Sequence, residues 1–122
     1  MGRDGDRGMA RVARLLRRGD VHWVALDPVV GSEIRKTRPA IIVSNDSMNR
    51  HGMRTVVIPL SSNIQTCYPG EALVAVKGKM ARAMGDQVRS VDKVRLRGRL
   101  DTLGKRDLER VEEALRITLA LP

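Results

Sequence analysis

"PAIIVSNDSMNRHGMRTVVIPLSSN", residues 39–63, sets two short apolar runs on either side of a polar segment. The runs, 39–44 and 55–60, are rich in Ile and Val and too short for helices. Their β-branched side chains suit a pleated, packed surface. Between them "NDSMNRHGM" (45–53) carries the Asn, Asp and Gly chemistry of a turn. The segment reads as two strands joined by a polar loop. Outward from it, "DVHWVAL" (20–26) and "EALVAVK" (71–77) read as further strands. "DQVRSV" (86–91) and "VRLRGRL" (94–100) are two more candidates. Asp27-Pro28 with Gly31, and "SSNIQTCYPG" (61–70), punctuate the gaps. Four to six strands at this spacing predict a small barrel or a strongly coiled antiparallel sheet. The period changes in "KRDLERVEEALRITLAL" (105–121), where Leu108, Val111, Leu115 and Leu119 share one helix face. Glu109, Glu112 and Glu113 supply its solvated side. A mainly β fold with a C-terminal helix is the coarse architecture.

A chain of 122 residues predicts one domain with a modest core. Trp23 and Tyr68 are its only aromatics, so Val, Leu, Ile, Ala and Met must build that core. The 23 Lys and Arg against 14 Asp and Glu give a net charge of +9. Arginine carries most of it, and its planar fork suits phosphate better than a point charge does. Nucleic acid is the leading partner for such a chain. The single cysteine, Cys67, cannot make an internal disulfide, and no Cys/His spacing indicates a metal or a cofactor. No apolar run approaches the ~20 residues of a membrane span. The arginine-rich start lacks the apolar stretch of a secretory signal, so the chain reads as cytoplasmic. Residues 1–18 read as a basic N-terminal extension, and 19–122 as the domain proper. In that extension "MGRDGDRG" is a disordered leader, and 9–18 either a short amphipathic helix or a basic arm.

Three clusters carry chemistry. In "GSEIRKTRPAIIVS" (31–44) Gly31 permits a turn, and Pro39 holds Arg38 extended at the loop–strand junction. Glu33, Arg35 and Lys36 fill the loop between. They either form solvated local ion pairs or gather around a phosphate. Ser61, Ser62 and Asn63 end a strand with groups that bond phosphate or ribose oxygens, though the same residues are ordinary turn chemistry. A period of two places Arg95, Arg97 and Arg99 on one face, with Val94, Leu96 and Leu100 on the other. Such a ladder either tracks a phosphate backbone or guards an exposed edge strand. His51 in the polar loop and His22 beside Trp23 have no partner visible in sequence, and both read as structural or surface residues.

Taken in order, "GDVHWVALDPVVGSEIRKTRPAIIVSND", "VVIPLSSN", "DQVRSVDKVRLRGRL" and "LERVEEAL" resemble the MazF/PemK family of toxin endoribonucleases, over residues 19–121. The resemblance implies a small SH3-like β-barrel of the CcdB/MazF/Kid type with a C-terminal helix, forming a homodimer. It implies the toxin of a type II toxin–antitoxin system, cleaving single-stranded mRNA at specific sequences without metal or cofactor. In that chemistry a ribose 2′-OH attacks the adjacent phosphate, leaving a 2′,3′-cyclic phosphate and a 5′-OH. The family's catalytic arginine falls on Arg38 and its catalytic threonine on Ser61, which keeps the hydroxyl but not the methyl. Glu33 matches an active-site neighbour. Arg35, Lys36, Ser62, Asn63, Arg95, Arg97 and Arg99 are then the expected RNA contacts. The implied partner is an antitoxin whose flexible acidic tail competes with RNA for the same positive field. The rival from another class is a non-catalytic barrel that binds nucleic acid or a protein such as gyrase. A binder has no need of the Arg38–Ser61 pair.

Overall fold

The computed structural model describes residues 16–26 and 37–122. The expected turn at Asp27-Pro28 and Gly31, and the expectations for residues 1–15, lie outside them. Seven strands form one antiparallel sheet: β1 (Asp20–Ala25), β2 (Thr37–Ile42), β3 (Arg54–Ser61), β4 (Glu71–Val76), β5 (Lys79–Met84), β6 (Arg89–Asp92) and β7 (Leu96–Thr102). Two helices accompany them, α1 (Asp46–His51) and α2 (Lys105–Leu119). The strand order is β4-β5-β3-β2-β1-β7, with β6 also beside β3.

The two runs of 39–60 do form the centre of this sheet. One edge of β3 pairs with β2, from Ala40 opposite Pro59 to Ile42 opposite Val57. The other edge is divided. Arg54 to Val57 hold β6, whereas Leu60 and Ser61 hold β5 through Ala83 and Arg82. A single 3-10 turn, Gly85–Gln87, separates β5 from β6. From there β5 departs to pair along its length with β4, which curls the sheet into a half-barrel. Gly85 is required at this corner, because a Cβ there would lie 2.3 Å from the Gly70 carbonyl oxygen.

β5 and α1 were not expected. "KMARAM" has no β-branched residue, but Lys77 (φ 51°) and Gly78 (φ 76°) form the left-handed pair of a type I′ hairpin turn, which dictates a returning strand. In α1, Asn45 is a helix cap: its side chain accepts the Met48 N–H at 2.7 Å. The Asn-Asp chemistry read as a turn serves a helix start equally well. Two other expectations change. Arg95 falls in a 3-10 turn (Lys93–Arg95) ahead of β7, and β7 pairs with β1 through two register shifts. Leu119 is half exposed, and Ala114 takes the buried place on α2 instead.

Period two sends neighbours to opposite faces, and both faces are buried at the centre. Val21, Ile41, Ile58, Leu60 and Val74 pack with Val111 and Ala114 of α2. Val24, Ala40, Ile42 and Val57 form a second cluster on the other face, with Leu16 and Val91. Two clusters thus replace the one core expected. A buried polar network fixes α1 to the sheet. Asn49 accepts from the Ser44 and Thr55 hydroxyls and donates to the Ser44 carbonyl at 2.9 Å. Asn49→Ala removes three hydrogen bonds from this buried network, in which the Ser44 and Thr55 hydroxyls still bond each other at 2.8 Å, and is expected to lower stability by roughly 1–3 kcal/mol. Urea unfolding with a midpoint unchanged from the parent contradicts this.

His22 lies on the second face, with both ring nitrogens buried and unpartnered. Asp20 Oδ2 is 3.9 Å from Nε2, too far for a hydrogen bond. Burial holds the imidazole pKa below its ordinary value; Asp20 opposes this and Arg99 adds to it. Its folded pKa is therefore below its unfolded one, and the unfolded chain takes up the proton first as pH falls. Its contribution to stability is present above about pH 6.5 and is lost on acidification below that. Melting temperature is expected to fall between pH 7.5 and 5, and His22→Gln to flatten that fall. A melting temperature that rises on acidification over this range contradicts the assignment.

Candidate active site

The β2–β3 pairing ends at Ala40 opposite Pro59, two residues short of Arg38 on β2 and of Ser61 on β3. Arg38 lies inside β2, opposite Val24 of β1, so it is mounted on paired strand and not on loop. On its other edge β3 places Ser61 opposite Arg82. Directly opposed residues share a face. Ser61 and Arg82 therefore share a face, and alternation along β2 and β3 puts Arg38 and Ser61 on the face of the Val24, Ala40, Ile42 and Val57 cluster.

The two arginines differ in their engagements. Arg82 is tied down: Nη1 donates to Glu71 Oε2 at 2.6 Å and Nε to the Asn63 carbonyl at 2.8 Å. This pair is largely buried, and both residues were missed in the sequence because β5 was missed. Burial pushes the Glu71 carboxyl up, but the Tyr68 amide and Arg82 outweigh it and hold the pKa below the usual range. Arg38 is exposed, and none of the ion pairs among the described residues involves it. Its guanidinium faces solvent with five donors.

Ser61 is half-buried, and its Oγ accepts the Asn63 N–H at 3.1 Å. That bond uses a lone pair, leaving the hydroxyl hydrogen to donate. Asn63 Oδ1 accepts the Gln65 N–H at 3.1 Å, so the expected turn chemistry is realised alongside any binding role. Ser62 is exposed beside it. The arginine ladder is broken up by the irregular β7. Arg95 donates to the Ala25 carbonyl at 3.2 Å and Arg97 to the Val94 carbonyl at 2.6 Å, while Arg99 is exposed. These three lie on the β7 side of Arg38, with β1 between. His51 ends α1 in solvent. Glu33, Arg35 and Lys36 lie outside the described residues. A cation and a hydroxyl on one face of neighbouring strands suit an oxyanion with several acceptor oxygens. No helix among the described residues is long and apolar enough to cross a membrane.

Residues 17–119 match the family model of the PemK-like, MazF-like toxin of type II toxin–antitoxin systems. Among curated proteins, endoribonuclease MazF9 of Mycobacterium tuberculosis is 34% identical over 116 residues, covering 88% of this chain and 98% of the relative. Endoribonuclease EndoA of Bacillus subtilis is 33% identical over 112 residues, covering 88% and 97%. Among solved structures, a mycobacterial endoribonuclease in complex with its cognate antitoxin superposes with a TM-score of 0.73 at 23% identity, covering 87% of this chain and 96% of that one. MazF from Deinococcus radiodurans gives 0.71 at 24% identity, covering 85% and 96%. These likenesses show the same fold.

Proposed function

The chain belongs to the PemK-like, MazF-like toxin family of type II toxin–antitoxin systems, and we propose that it is a metal-independent endoribonuclease that cuts single-stranded mRNA at specific sequences. The observation that supports this reading is an exposed Arg38 on β2 and a Ser61 hydroxyl at the end of the neighbouring β3, on one face of the sheet. Both curated relatives are named endoribonucleases, which supports the same activity here.

A ribose 2′-OH attacks the neighbouring phosphorus. The new P–O2′ bond forms, the P–O5′ bond breaks with the departing oxygen taking a proton from water, and the products carry a 2′,3′-cyclic phosphate and a 5′-OH. Arg38 offsets the negative charge that gathers on the phosphate oxygens in the transition state, the role in which a preorganised cation counts most. A guanidinium holds its protons too tightly for an easy general acid. Ser61 donates its hydroxyl hydrogen to the phosphate or the attacking oxygen. Glu33 orients Arg38 or takes the 2′-proton. Arg35, Lys36, Ser62, Asn63, Arg95, Arg97 and Arg99 hold the flanking nucleotides. The working form is a cytoplasmic homodimer whose groove takes the RNA, and an antitoxin with an acidic tail competes for it. The +9 charge and the antitoxin complex of a structural neighbour support that partner.

Purified protein is expected to cleave mixed-sequence RNA in EDTA, with end mapping that finds cyclic phosphates and 5′-hydroxyls. Arg38→Ala is expected to slow cleavage roughly a hundredfold or more. Arg38→Lys restores part of the rate, since a point charge lacks the two-pronged contact. Ser61→Ala impairs the rate, whereas Ser61→Thr is tolerated, its stiffer rotamer holding the same hydroxyl. RNA that is bound but left intact favours the non-catalytic reading. Arg38→Ala that melts and cleaves like the parent overturns the site.

A further inference from the structure

A protein with two aromatic residues is expected to spend them in its core, yet Trp23 is 40% and Tyr68 64% exposed. Tyr68 belongs to the β3–β4 connection, whose residues 62–69 are all exposed. Exposed connections are commonly loose; this one is pinned. Tyr68-Pro69-Gly70-Glu71 is a tight turn, with the Glu71 N–H bonded to the Tyr68 carbonyl at 2.9 Å and Gly70 at φ 89°. Proline second and a left-handed glycine third make it type II. Glu71 then uses both carboxylate oxygens. Oε1 accepts the Tyr68 N–H at 3.0 Å and Oε2 accepts from Arg82 at 2.6 Å. Arg82 in turn holds the Asn63 carbonyl and stands opposite Ser61 in the register. One ion pair, with side chains only 16% and 10% exposed, thus clamps both ends of the loop beside Ser61.

We propose that Tyr68 is a base-stacking residue of the RNA site, and that the Arg82–Glu71 pair positions it. This rests on the endoribonuclease reading and deepens it. A sequence-reading site needs a flat face for a nucleobase as well as cations for phosphate, and aromatic rings supply that face. The Tyr68 main chain is joined to Ser61 through hydrogen bonds by way of Glu71, Arg82 and Asn63, in a molecule of net charge +9 that draws polyanions. An exposed ring on a mobile loop loses freedom when a base stacks on it. The clamp holds the Tyr68 main chain beforehand and so removes the backbone share of that cost. Arg82 is a positioning residue: its guanidinium is occupied by Glu71 and Asn63, whereas Arg38 is open to the substrate.

The test is RNA affinity and steady-state cleavage on short oligoribonucleotides cut by the parent, with single abasic substitutions flanking the cleaved bond. Tyr68→Ala is expected to raise KM and Kd between about 5-fold and about 100-fold with kcat little changed, and Tyr68→Phe to behave as the parent. One abasic substrate is expected to bind the parent and Tyr68→Ala equally, which identifies the stacked base. Glu71→Gln keeps the side chain's shape but weakens the charge pairing, and is expected to raise KM in the same direction. Combined with Tyr68→Ala, it adds little, because both act through one ring. Parental KM and Kd for Tyr68→Ala, in a protein that cleaves, overturn this inference alone. So does a Tyr68→Ala effect confined to dimerisation or antitoxin binding. A parent that neither binds nor cleaves RNA overturns both this and the reading beneath it.

Discussion

Backbone pairing between Ala40–Ile42 and Val57–Pro59 holds two strands in one register, and the molecule is organised around that register. Side chains alternate across a sheet, so a slip of one residue would exchange the two apolar clusters and turn Arg38 and Ser61 to different faces. Ile41 against Ile58 on one face and Ile42 against Val57 on the other make such a slip costly on both sides. The polar connection adds a second constraint. Asn49, Ser44 and Thr55 bond to one another in the interior, fixing where β2 ends and β3 begins. Core packing and site geometry are therefore one problem with one solution.

The arginines divide by what holds them. Arg18 pairs with Glu112, Arg54 with Asp92 and Arg82 with Glu71, ties that run between distant parts of the chain. These spend their charge on the fold. The net excess remains as a long-range field that draws a polyanion toward the surface before any specific contact forms. Arg38, like Arg99, is seated on paired strand and makes no ion pair among the described residues. β4 shows how the exposed sheet edge is managed, because Asp107 and Asp101 accept the Ala75 and Lys77 amides that a neighbouring strand would otherwise take.

Much of this was legible in the chain and some of it was not, for identifiable reasons. β1 to β4 could be read because their Val and Ile runs are short and bounded by turn residues. β5 could not, since Ala, Met, Lys and Arg favour helix and only the Lys77-Gly78 turn betrays the hairpin. With β5 went Arg82 and Glu71, whose meeting depends on that strand. α1 was missed because Asn-Asp starts turns and helices alike. The extended seat of Arg38 at the start of β2 was legible because proline constrains the residue before it, a local effect that survives folding. The Arg95–Arg97–Arg99 ladder failed because two register shifts in β7 interrupt a period that the apolar pattern suggests is unbroken.

In the proposed reaction β2 and β3 bring Arg38 and Ser61 to one scissile phosphate. The direct measurement is a crystal structure with a short RNA whose attacking 2′-OH is replaced by hydrogen, so that cleavage cannot proceed. The phosphate 3′ to that sugar is expected within about 3 Å of both the Arg38 guanidinium and Ser61 Oγ. A phosphate seated instead along Arg97 and Arg99, with Arg38 in solvent, would contradict it.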